Sequence, residues 1–324
     1  MPIRVAAATP LRVGWPHPLC PITRGIRVIE KPTFKEDNWG FWNLRRTELT
    51  DVLERSHWLC VEEECEWQDR DELLGRLSGK LRTAMLGFQL WCVKGWDGLI
   101  ICAIVRDNGD ITVESVEFVE PYPMSQWSKM TDIDKLAVAQ LAPLVEGTFA
   151  VYESGVVRAI NPFHFLEIGL QTAYNHVVAG ALLWMMGLDG LLAAEKQVWF
   201  ASRLKRLLGE ATPVFPPDWI GRRPVYTVAD VAANMYDLRN LIAHGKEVLE
   251  KYRKPIDFQF EPPELAYLAV EKWNYATLLF ESSLFTLIAA LRTVITAGML
   301  QMIADKRAWE AWLDDSGEGR RVET

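Results

Sequence analysis

Met235-Tyr-Asp-Leu-Arg-Asn-Leu-Ile-Ala-His-Gly245 reads as the last turns of an amphipathic helix and its stop. Upstream, Thr227-Val-Ala-Asp230 has the spacing of a capping box, in which each side chain accepts from the other residue's backbone N–H. Gly245 supplies the left-handed residue on which helices commonly end. The pattern predicts a helix from Thr227 to about His244. Asn240 and His244 stand four apart and share a face. Arg239 starts about 140° around from His244, but its long side chain reaches towards that face.

Outward from this helix, nearly everything after residue 155 is helix-periodic. Phe163 to Glu195 predicts one long helix, or two broken near Gly180 or Gly187. Lys196 to Leu208 alternates an apolar face (Val198, Phe200, Leu204, Leu207) with a basic one, and Gly209 ends it. Pro213, Pro216, Pro217 and Pro224 exclude regular helix between there and Thr227. Glu264 to Thr296 and Arg307 to Leu313 predict the last two helices. The C-terminal half therefore reads as an all-α bundle.

Before residue 155 the signals are those of an α+β domain. Trp96 to Val105 is a continuous apolar run, and Ile111 to Val119 alternates apolar and polar residues with period two. Asn108-Gly109 between them is a hairpin turn signal, because that turn requires positive φ. Arg24 to Glu30 is a weaker strand. Trp42–Arg55 and Asp71–Met85 predict short amphipathic helices, and the acidic Glu62-Glu-Glu-Cys-Glu66 a solvated loop or helix face. Two domains are expected, 1–155 and 156–324, in line with 324 residues.

Composition narrows the function. With 49% apolar and 24% charged residues the chain can bury a large core. Five cysteines, an odd number in a long chain, argue against a disulfide framework and for a reducing, cytoplasmic setting. The apolar stretches at Val177–Ala194 and Leu278–Leu300 contain Asp189, and Glu281 with Arg292, so both read as bundle helices rather than membrane spans. A net charge of −8 excludes coating of nucleic acid by bulk charge, so any such chemistry must occupy a locally positive patch. Residues 201–256 carry ten basic residues against six acidic ones, an asymmetry in that direction.

Common catalytic signatures are missing. The sequence has no phosphate loop, no dinucleotide-binding Gly-x-Gly-x-x-Gly and no Gly-x-Ser-x-Gly elbow, and it calls for no cofactor. His57, Cys60 and Cys65 lie close together, but a structural zinc site wants a second ligand pair, so the cysteines read as small core hydrophobes and no metal is expected. His164 and His176 read as core or surface imidazoles.

The segment ending at His244 differs. The carbonyl end of the helix dipole favours an imidazolium there, the form that general acid–base chemistry near neutral pH exploits. Arg239 offers a planar cation matched to phosphate. Together these are parts for cutting a phosphodiester without a metal. The bare spacing of Arg and His carries little weight, since Arg12–His17 and Arg158–His164 match it as well. Those two contain Pro16 and Pro162; only Arg239-Asn240…His244 has an unbroken helix, a polar residue after the arginine and a terminal glycine.

Tyr236-Asp-Leu-Arg-Asn-Leu-Ile-Ala-His-Gly245 resembles the signature helix of HEPN domains, in particular the ApeA-like group. Ala181-Leu-Leu-Trp-Met-Met-Gly-Leu-Asp-Gly-Leu-Leu192 is similar to an earlier helix of that group, with Asp189 where glutamate is more frequent. The resemblance spans roughly residues 160–300. It implies that the α+β domain read from the residues is followed by a HEPN-like bundle of four to five helices that homodimerises with its motif helices facing each other. It also implies a metal-independent endoribonuclease, with Arg239 on the scissile phosphate, Asn240 orienting it, and His244 as acid or base for attack by the RNA 2′-hydroxyl. Tyr236, Lys246, Arg222 and Arg223 would bind the RNA substrate. Such proteins serve as toxins or antiphage effectors, often with a fused sensor domain, here residues 1–155, and with an antitoxin or regulatory partner.

Three other readings stay open from the residues alone. The bundle is a non-catalytic HEPN module that binds nucleotide, RNA or a partner protein. The N-terminal domain is the functional part and the bundle its dimerisation stalk. Or Arg239 merely pairs with Asp237 or Glu247 while His244 caps its helix.

Overall fold

In the computed structural model, residues 2–11, 21–34, 57–92, 99–118, 138–173, 176–215, 225–256 and 274–315 are described. They belong to two compact units, Met1–Met124 with Lys135–Ala150, and Ser125–Asp134 with Val151–Thr324. The first holds an antiparallel sheet and the second is helical. Trp42–Arg55, Arg222, Arg223 and the 264–273 part of the expected penultimate helix lie outside the described residues.

The sheet of the first unit is built around the chain's own start. Strand β1 (Pro2–Pro10) pairs antiparallel with β4 (His57–Glu66) on one side and β5 (Leu99–Val105) on the other. Strands β2 (Pro21–Thr23), β3 (Ile26–Glu30) and β6 (Ile111–Phe118) complete the order β2-β3-β4-β1-β5-β6. Because β1 separates them, β4 and β5 run parallel. Helix α1 (Arg70–Trp91) makes the crossover between them that parallel strands require. The β5–β6 hairpin turns at Asn108-Gly109, with Gly109 at φ +87° as the dipeptide predicts.

Alternation assigns the faces. Ala6, Ala8, Trp58, Cys60, Leu99, Ile101, Ala103 and Val113 form one buried cluster. The alternate set, including Ala7, Leu59 and Cys102, faces α1, where the Leu74 carbonyl lies 4.0 Å from the Cys102 sulfur. Strand β1 is buried on both faces, which explains why Val5-Ala-Ala-Ala8 shows no alternation. The acidic stretch Glu62–Glu66 is the outer half of β4, not a loop or helix face. Two of its carboxylates are held by cations, Glu62 by Arg27 of the neighbouring β3 at 2.6 Å and Glu63 by Arg76 of α1 at 2.8 Å. Helix α2 (Leu141–Ser154) was not signalled by any motif. Its Glu146 accepts from Thr23 and Arg24 within the first unit.

The second unit begins with helices α3 (Val157–Ala173) and α4 (Val177–Leu192). The break expected near Gly180 or Gly187 is not there: α3 ends at Ala173, α4 starts at Val177, and both glycines are inside α4. They serve packing. A Cβ on Gly180 would sit 2.4 Å from that of Ala173, and one on Gly169 would sit 2.3 Å from Trp184 Nε1. Helix α5 (Gln197–Leu208) ends at Gly209, φ +88°. Then follow α6 (Val228–Ala243), α7 (Glu250–Arg253), α8 (Tyr275–Thr296), α9 (Leu300–Ala304) and α10 (Lys306–Asp314). Helix α8 is long and apolar enough to cross a membrane, yet 78% of its most apolar window is buried within the protein and it carries the buried Glu281.

Candidate functional site

Helix α6 forms as its ends dictate. The Thr227–Asp230 capping box is made, with the Thr227 N–H donating to Asp230 Oδ2 at 2.7 Å. At the other end His244 is the cap residue. Gly245, at φ +63°, donates to the Ile242 carbonyl at 3.0 Å, and the Lys246 N–H donates to that of Leu241 at 2.7 Å. That pair of bonds is a Schellman stop, which uses two carbonyls the helix would otherwise leave open. Val228, Val231, Ala232, Met235 and Leu238 bury one face. Arg239 and Asn240 fall at its edge and His244 outside it, as 3.6 residues per turn require.

The edge of that face holds the motif's cation. Arg239 Nη1 donates to Asn240 Oδ1 at 2.7 Å, and Nη2 donates to Asp189 Oδ2 at 2.7 Å. Its guanidinium carbon lies 5.5 Å from the Tyr236 ring centre. The arginine and aspartate side chains are 24% and 18% exposed, so the pair is largely shielded from water. Burial pushes the Asp189 carboxyl above its ordinary range, while the Arg239 charge opposes the shift. Asp189 Oδ1 is buried without a hydrogen-bond partner among the described residues. These two bonds occupy two of the five guanidinium donors.

The pairing of Arg239 with Asp237 or Glu247 does not occur. Burial works against ionisation of Asp237, but the Tyr252 hydroxyl at 2.6 Å and Lys251 at 3.2 Å hold its carboxyl below the usual range. Glu247 is engaged by Arg253 at 3.0 Å. Arg239 therefore ties α6 to α4, fifty residues earlier in the chain.

His244 is exposed, and among the described residues its imidazole has no hydrogen-bond or ion-pair partner. Lys246 is likewise exposed and free of any ion pair among the described residues. Tyr236 is only 8% exposed, and its ring lies 5.4 Å from that of Phe200 on α5, so most of it is core. Arg239 and Asn240 are brought together directly; no bond links either side chain to the His244 imidazole.

The chain matches no family model, no curated protein and no solved structure.

What the arrangement can do follows from these parts. A fixed, partly shielded arginine and a solvent-facing imidazole at one helix end provide a cation for a phosphate and a proton carrier. Among the described residues no group of three or more His, Cys, Asp or Glu is placed to hold a metal ion. Burial pushes the Cys60 thiol up to about 12, far from the thiolate that nucleophiles and metal ligands need. Sequence reasoning did not assign Asp189 its role as the anchor of Arg239. The signal was present: a single carboxylate inside the apolar run Val177–Leu192 must find a partner if that run is buried.

Proposed function

We propose that the helical unit is a metal-independent endoribonuclease of HEPN type, acting in the cytoplasm as a homodimer whose motif helices meet, and restrained or triggered through other parts of the chain or a partner. The observation that carries this reading is the division of labour at the end of α6. Arg239 is held in place by Asn240 and Asp189, with three donors unused among the described residues, while His244 five residues on is exposed and has no partner among them.

In this mechanism the scissile phosphate lies against Arg239, which offsets the charge that develops on the phosphoryl oxygens as the 2′-oxygen attacks. Asn240 fixes the guanidinium plane through its Oδ1. His244 moves the proton, taking it from the 2′-hydroxyl or giving it to the leaving 5′-oxygen; a two-fold dimer supplies one imidazole for each task. The products are a 2′,3′-cyclic phosphate and a 5′-hydroxyl end. A homodimer suits the net charge of −8, because pairing two locally basic helix ends concentrates positive potential in one groove.

The reading is tested by incubating purified protein with total RNA in EDTA, beside its His244→Ala variant. Cleavage by the parent and none by the variant supports the assignment. Equal cleavage by both removes His244 from the mechanism, and no cleavage by either favours a binding module on the same surface.

A further inference from the structure

Beside the stop of α6 lies an open groove of about 520 Å³ on the helical unit, within the range of roughly 300–1,000 Å³ typical of small-molecule sites. Its walls come from three helices and the connection after α6. Ile242, Val248, Val178 at the start of α4 and Phe280 of α8, only 9% exposed, supply its apolar lining. The polar side chains of the lining among the described residues are Lys246, Arg253 and Asn274, two cations and one amide. Lys246 is bound by no carboxylate among the described residues, and its backbone is fixed by the bond to Leu241. Arg253 is engaged only by the exposed Glu247 among the described residues, a pair that water screens.

We infer that this groove is a nucleotide subsite, holding the base of one nucleotide on Phe280, Ile242, Val248 and Val178 and its phosphate on Lys246 and Arg253. The chemistry selects that occupant: apolar side chains for a base and, beside them, two cations with no carboxylate among the described lining residues. Ile242 and Gly245 line the groove on either side of His244 in the chain, so a nucleotide seated there brings its neighbouring phosphodiester to the end of α6. That placement of the occupant next to the scissile bond rests on the ribonuclease reading; the binding of a nucleotide does not. Base contacts here give the cleavage a preference for the nucleotide on one side of the cut bond.

The test uses the full chain carrying His244→Ala, so that nothing is turned over, titrated with adenosine and uridine 5′-monophosphates, with the parent nucleosides and with inorganic phosphate. The expected result is saturable binding of at least one monophosphate, at least tenfold tighter than its nucleoside or phosphate alone. Val178→Glu and Lys246→Gln, both at exposed positions, each weaken it tenfold or more. Absence of saturable binding, or binding that Val178→Glu leaves unchanged, overturns the subsite. Phosphate binding as tightly as the monophosphates reduces the site to a pair of surface cations and also overturns it. RNA cleavage by the parent chain is measured separately. Nucleotide binding without cleavage retains the subsite and rejects the ribonuclease; cleavage without nucleotide binding does the reverse.

Discussion

Replacing Arg239 by methionine keeps the aliphatic cover on the Tyr236 ring but leaves Asp189 without its counter-charge. Fully exposed ion pairs contribute about 0–1 kcal/mol, and stripping one partner from a buried pair costs about 3–5 kcal/mol. With the two side chains 24% and 18% exposed, and Asp189 Oδ1 already lacking a partner, Arg239→Met should destabilise the helical unit by about 2 kcal/mol at neutral pH. In a unit of this size that lowers Tm by about 4–8 °C. The pH dependence is diagnostic. Without Arg239, burial alone acts on Asp189 and its folded pKa rises further above the ordinary aspartate value of about 3.9. Between those two values the native state binds more protons than the unfolded chain, so stability increases as pH falls. The deficit of the variant is thus full at pH 7 and disappears towards pH 4. Urea unfolding of the parent, Arg239→Met, Asp189→Asn and the double variant at pH 7 and pH 4.5 measures it. A deficit that is the same at both pH values, or that persists in full when Asp189 is asparagine, refutes the pairing as the cause.

Other substitutions separate fold from chemistry. His244→Ala, at an exposed cap with no side-chain partner among the described residues, should change stability by less than about 0.5 kcal/mol in urea unfolding while abolishing RNA cleavage. Gly245→Ala meets no atom within 4 Å but forces a side chain to φ +63°, so it should cost about 1 kcal/mol, and Gly245→Asn noticeably less, by thermal melting. Gly180→Ala puts a methyl 2.4 Å from the Ala173 Cβ and 2.7 Å from the Gly169 carbonyl oxygen, and should cost at least about 2 kcal/mol because backbone has to move. Thr227→Ala removes half of the capping box and should cost about 1 kcal/mol, read as faster amide exchange in the first turn of α6.

The division into an α+β part and a helical part was legible because periods of 2 and 3.6 differ over long stretches, and because Asn108-Gly109, Gly209 and Gly245 are positions where backbone conformation is dictated locally. Strand β1 escaped notice because a central strand covered on both faces loses its alternation, and its alanines Ala6-Ala-Ala8 are weakly strand-forming. Glu62–Glu66 looked like a solvated loop because charge density was read without the partners that neutralise it, Arg27, Arg76 and Lys80, which come from elsewhere in the chain. The break between α3 and α4 was misplaced for a related reason. Gly180 and Gly187 are flexible in isolation, but in the folded unit their lack of a side chain permits helices to touch. At the candidate site, the helix, its capping box and its stop at Gly245 were local properties and could be read. The partner of Arg239 was not, because Asp189 stands fifty residues away and only packing of α4 against α6 brings it within 2.7 Å.

The most direct measurement of the central claim is the chemistry of the cut ends. An RNA cleaved by the full chain in EDTA, and a copy with a single 2′-deoxy nucleotide at the cut position, are analysed by mass spectrometry. The account predicts 2′,3′-cyclic phosphate and 5′-hydroxyl termini from the first and an intact bond in the second. Fragments ending in 5′-phosphate, or unimpaired cleavage at the 2′-deoxy position, would contradict it.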